Sequence, residues 1–132
     1  MPETIPLSPA SRGEPALTQV LRVDAFTCAA MGLLLVAAAT PMSALLGLPA
    51  QLLFWAGVVL FPCAVLMFVA AKRPRFAGLV WVIVLGNLAW IVASAVVGLA
   101  FNPTPLGLAF VVVQAAVVAV LAWLEWRGLR SM

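Results

Sequence analysis

Two long stretches of this chain carry no formal charge: Ala25–Ala71, 47 residues, and Phe76–Leu124, 49 residues. A bilayer core about 30 Å thick is crossed by about 20 helical residues, each rising about 1.5 Å. Each stretch is therefore too long for one crossing and fits two crossings with a turn between them. A breaker cluster sits near the middle of each, Thr40-Pro41 through Gly47-Leu48-Pro49 in the first and Asn102-Pro103-Thr104-Pro105 with Gly107 in the second. A membrane-spanning strand would alternate apolar and polar residues over about 10 positions, whereas here the apolar residues run on continuously. The chain reads as an all-α membrane protein. Its four transmembrane helices, over about 23–40, 50–71, 77–100 and 105–126, would form two helical hairpins in one bundle.

Composition excludes the main soluble alternatives. With 66% apolar and 8% charged residues, a water-exposed globule would lack the polar surface to cover itself. A nucleic-acid binder with a basic face does not fit. Neither does any site that needs imidazole, because the chain has no His. That absence also removes the usual axial ligand of haem and most metal sites. No phosphate-binding loop, nucleophile elbow or paired-carboxylate arrangement is visible. The expectation is a protein that is not an enzyme and has no cofactor. A quinone, carotenoid or lipid could sit between helices without a ligating side chain, but nothing in the sequence indicates one.

The eleven charges fall in three places: Glu3 to Asp24, the cluster Lys72, Arg73 and Arg75, and Glu125 to Arg130. With four spans these places share one side of the membrane, and all seven basic residues lie there. Because Lys and Arg near span ends stay cytoplasmic, both termini are expected inside, in a bacterial inner membrane. Residues 1–22 read as a polar, Pro-rich cytoplasmic tail, extended unless something packs on it. Residues 23–132 form the transmembrane domain. The tail is not a secretory leader followed directly by a short apolar stretch, so the first span reads as an uncleaved anchor despite Ala37-Ala38-Ala39.

Few side chains could carry chemistry. Asp24, at the edge of the first span, is expected to cap that helix or to pair with Arg73, Arg75 or Arg127, with an ion-coupling carboxylate as the third reading. Asn87 and Gln114 are the amides of the third and fourth spans, near mid-membrane depth. They are expected to face the bundle interior and bond each other or a nearby carbonyl, with a polar substrate contact as the second reading. Pro62 lies inside the second span and predicts a kink, because it lacks an N–H and crowds the Val58 carbonyl. Trp90 falls deep and reads as a packing residue. Cys28 and Cys63 form no C-x-x-C pair and read as packing residues without a disulfide. Small residues four apart, such as Cys28/Gly32 and Ala89/Ala93, suit close helix approach.

Small multidrug transporters resemble the chain in size alone, since their working carboxylate lies where this sequence has Cys28 to Val36. A closer likeness rests on Leu21-Arg22-Val23-Asp24-Ala25, Leu45-Leu46-Gly47-Leu48-Pro49, Gly86-Asn87-Leu88-Ala89-Trp90 and Leu124-Glu125-Trp126-Arg127-Gly128-Leu129-Arg130. In these segments the chain resembles a group of small, uncharacterised four-span bacterial membrane proteins, over about residues 20–130. The resemblance implies no activity. The leading expectation is an accessory or assembly subunit that packs against membrane lipids and other membrane subunits or its own copies. The alternatives are a small oligomeric transporter or channel, or a lipid- or pigment-binding subunit with a lateral apolar crevice.

Overall fold

A computed structural model describes residues 9–73 and 76–130. Five helices and no strand are present among them: α1 Pro9–Ala37, α2 Ala39–Leu46, α3 Ala50–Lys72, α4 Ala77–Ala100 and α5 Pro105–Arg130. Four segments are long and apolar enough to cross a membrane: Ala16–Ala37, Ala50–Lys72, Ala77–Ala100 and Pro105–Arg130.

The first helix differs most from expectation. It starts at Pro9, so residues 9–22 of the expected tail are helical and Asp24 lies well inside the helix. The cause is a buried stripe at i, i+4 spacing, Leu17, Leu21 and Ala25, none of which is exposed. In helices this short of intrinsic support, packing of such a stripe decides where the helix runs. The short helix α2 likewise starts at Ala39, ahead of Thr40-Pro41, and has no side-chain cap. It ends at Gly47, which takes the left-handed φ of 69° that closes the turn.

The connection into α5 follows its local chemistry. Thr104 Oγ1 accepts the Gly107 N–H at 3.1 Å, capping the helix that opens on Pro105. The same hydroxyl donates to the Leu45 carbonyl at 2.8 Å, and the Thr104 N–H donates to the Leu46 carbonyl at 3.0 Å. These bonds tie the end of α2 to the start of α5. Gly107 is required there, because a Cβ would lie 1.9 Å from the Leu46 carbonyl oxygen.

Helix α3 runs as one helix through Pro62, which lies on its exposed face. α1 packs mainly against α3 and α4 mainly against α5. The two pairs meet chiefly through α1 and α5, and α3 touches α4 over few residues. Close approach of α1 and α3 depends on two glycines. A Cβ on Gly32 would lie 3.0 Å from the Gly57 oxygen, and one on Gly57 would lie 2.8 Å from the Gly32 oxygen. One apolar core joins α1, α3 and α4 around Leu21, Met67, Ala70, Val80 and Ile83, at the end carrying Lys72. A second lies toward α2, around Leu35, Leu46, Leu53, Leu60 and Val111.

Candidate functional site

Three helices each bring one polar side chain to a single buried point. Asp24 of α1 is 2% exposed, Asn87 of α4 7% and Glu125 of α5 0%. The Asn87 amide nitrogen donates to Asp24 Oδ2 at 3.1 Å and to Glu125 Oε1 at 2.8 Å. Both of its N–H groups are thus used, one on each carboxyl. Cys28, one turn along α1, places its Sγ 3.8 Å from Asp24 Oδ1 and 3.7 Å from the Met67 sulfur. Among the described residues, Glu125 Oε2 has no hydrogen-bond partner. Cys28 and Cys63 are both free thiols.

This cluster replaces several expectations. Asp24 is not a helix cap, because α1 already runs through it. Arg73, its expected ion partner on α3, is the exposed residue that ends that helix. Arg75 lies outside the described residues. The Arg127 guanidinium sits 5.3 Å over the Trp123 ring. The chain does hold paired carboxylates, which linear spacing hides because Asp24 and Glu125 stand at opposite ends of the sequence.

Asn87 does not bond Gln114. The tight connection between α4 and α5 sets Trp90, nearly one turn beyond Asn87, level with Gln114. Trp90 Nε1 donates to Gln114 Oε1 at 2.7 Å, and Gln114 Nε2 donates to Ser94 Oγ at 2.7 Å and to the Val111 carbonyl at 3.0 Å. The Ser94 hydroxyl donates in turn to the Trp90 carbonyl at 2.8 Å. Gln114 therefore joins α4 to α5 in a second polar layer, separate from the carboxyl cluster.

Glu125 was missed because it reads as one of three charges at a helix end. Its face gives it away. Leu121, Ala122, Glu125 and Gly128 follow helical spacing, and all four are buried. An acid on that stripe is turned inward.

Beside the cluster lies a crevice of about 490 Å³, within the usual range of about 300–1,000 Å³ for ligand pockets. Its long wall is one face of α5 from Leu106 to Leu121, about 22 Å at about 1.5 Å per residue. Asp24 and Thr27 of α1 and Gln114 of α5 are among its lining residues. Leu106, Val113 and Val117 line it while remaining exposed, so it opens to the side of the bundle. A smaller cavity of about 150 Å³ lies on the other side of Trp90, Phe110 and Gln114, which line both. Asp24 thus belongs both to the buried cluster and to the crevice wall. Among the described residues, no group of three or more His, Cys, Asp and Glu side chains is placed to hold a metal ion.

No protein-family profile, curated protein or solved structure matches the chain significantly.

Proposed function

We propose that this multi-pass membrane protein binds an amphipathic, membrane-soluble molecule in the crevice between α1 and α5, and works as a small carrier. One observation supports this above all: Asp24 links a buried carboxyl pair to an apolar cavity that opens sideways. Carriers characteristically place ionisable groups within the span and bind near their helix-repeat interface. The lateral opening suits a ligand that arrives from lipid. In this reading α1/α3 and α4/α5 act as two hairpins, and both termini lie on the cytoplasmic side of a bacterial inner membrane. The gathering of all seven basic residues on that side supports the orientation. No bond-making chemistry is assigned to it.

The test uses the full chain in nanodiscs with Trp55, Trp81, Trp123 and Trp126 changed to Phe, leaving Trp90 at the crevice. Phosphatidylcholine brominated along its acyl chains is the quenching probe. Quenching of Trp90 that Ala109→Phe with Val113→Phe abolishes supports the reading. Quenching unchanged by filling the crevice overturns it.

A second reading, the accessory subunit or homo-oligomer, is favoured by one face of α4. A Cβ on Gly86 would meet nothing within 4 Å, and Ala89 and Ala93 on the same face are exposed. Such small-residue faces let another helix approach closely. A chain that remains monomeric in native mass spectrometry from its own membranes removes that reading.

A further inference from the structure

We propose that Asp24 and Glu125 hold one proton between them, and that the crevice takes a lipophilic cation whose binding expels that proton. The inference rests on the crevice being a ligand site and adds the ligand's chemical class and what is exchanged for it.

The hydrogen-bond pattern points to the proton. Two carboxyl groups on different helices are served by a single amide nitrogen, at 3.1 Å and 2.8 Å. Asn87 spends one N–H on each, and Cys28 approaches the remaining oxygen of Asp24. Among the described residues, Glu125 Oε2 is left without a donor, on a side chain that has no solvent exposure. A buried acceptor in an apolar bundle is rarely left unmet, and like carboxylates sharing one site rarely both ionise. A single carboxyl proton supplies the missing donor and removes the repulsion together.

The crevice points to the cation. Asp24 of the carboxyl pair is among its lining residues, and its walls include the aromatic residues Trp90 and Phe110. Among the described residues, none of the lining side chains is basic. A carboxylate beside an apolar pocket with aromatic faces attracts an organic cation by charge and by the ring quadrupoles. Its apolar walls suit the hydrophobic body of such a cation. The exchange keeps the site's charge constant. One proton on two carboxyl groups leaves a net charge of −1, as do two carboxylates with one bound monocation. No uncompensated charge is therefore created inside the bundle, where it would be costly.

The ionisable groups nearby are few. α1 carries Cys28 and the exposed Arg22, α3 carries Cys63 and the exposed Lys72, and α5 carries the exposed Arg127. α4 carries no ionisable side chain and contributes the Asn87 amide.

The full chain in nanodiscs is titrated with tetraphenylphosphonium in weakly buffered solution, following binding and proton release together. The expected result is about one proton released per probe bound. Apparent affinity then rises about tenfold per pH unit while the proton is being displaced. Glu125→Gln and Asp24→Asn, checked for native helix content and monodispersity, should bind without releasing a proton or lose affinity at least about tenfold. The carbonyl stretch of a protonated carboxyl should disappear from the infrared difference spectrum in both. Binding to the unsubstituted chain without proton release, or a carbonyl band that survives in both variants, overturns the proposal. If tetraphenylphosphonium does not bind while brominated lipid still quenches Trp90 through the crevice, the cation inference falls and the ligand site stands. If neither probe reaches the crevice, both fall.

Discussion

Asn87 is the one donor that holds two carboxyl groups on two other helices, so its loss strands more than its own bonds. Replacement by Leu would leave Asp24 and Glu125 facing an apolar side chain. Buried polar groups left unmet cost about 1–3 kcal/mol, above the ordinary worth of a hydrogen bond in a bilayer, about 0.6 kcal/mol. Asn87→Leu is therefore expected to lower stability by about 1–3 kcal/mol in detergent unfolding. Glu125 offers a sharper contrast. Glu125→Gln keeps the shape and supplies an N–H donor toward Asp24, so stability should hold within about 0.5 kcal/mol of the parent. Glu125→Ala removes the Asn87 acceptor, opens a cavity and should cost about 2 kcal/mol or more. Equal losses for Gln and Ala would show that the carboxyl pair is not the hydrogen-bonded unit described. At this scale the sequence was legible as types and hidden as partners. Asn87 stands out as an amide in an apolar run, whereas Glu125 stands beside Trp126 and Arg127 and takes its meaning only from the buried helical face it shares with Leu121 and Gly128.

Charge placement marks elements more reliably than it marks contacts. The expected spans at 50–71, 77–100 and 105–126 lie on α3, α4 and α5, with Lys72 and Phe76 flanking the break between the first two. The first span misled because residues 1–22 were judged by polarity. Leu17 and Leu21 within that segment continue the inward stripe of α1. Helix-to-helix distance was legible only where small residues recur, and Gly32 opposite Gly57 is the pair that matters. Gly57→Leu should drive α1 from α3 and lower stability by about 1–3 kcal/mol, the usual cost of overpacking. Gly86 is the control on another element, since nothing would meet its Cβ within 4 Å. Gly86→Ala should leave stability unchanged or raise it by about 0.5–1 kcal/mol through helix propensity. Thermal unfolding of both variants in one detergent decides the matter, and similar losses would mean that α1 and α3 do not meet through these glycines.

For the whole molecule, the seam between α1 and α5 joins one helix pair to the other, because α3 and α4 share little contact. At the Lys72 end the seam is closed by Leu17 against Gly128, where a Cβ on the glycine would lie 3.1 Å from Leu17 Cβ. Further along, Asp24 and Glu125 meet through Asn87, and beyond them the same two helices part to form the crevice. Closure, carboxyl pair and ligand space are thus successive stations along one interface. Its existence followed from no single segment of sequence, since it needs α1 to run back past Leu17 and α5 to run on past Gly128. Leu17→Ala should therefore do two things at once. It should cost about 2–4 kcal/mol as a large-to-small change at a fully buried site. It should also loosen Asp24 against Glu125, so that fewer than one proton is released per tetraphenylphosphonium bound. Val65→Ala, on the exposed face of α3, removes a similar side chain away from the seam and should change stability by less than about 0.5 kcal/mol and leave proton release intact. A Leu17→Ala protein that is destabilised but still releases its full proton would show that the inner closure and the carboxyl pair are independent, and that the seam is not the unit that couples them.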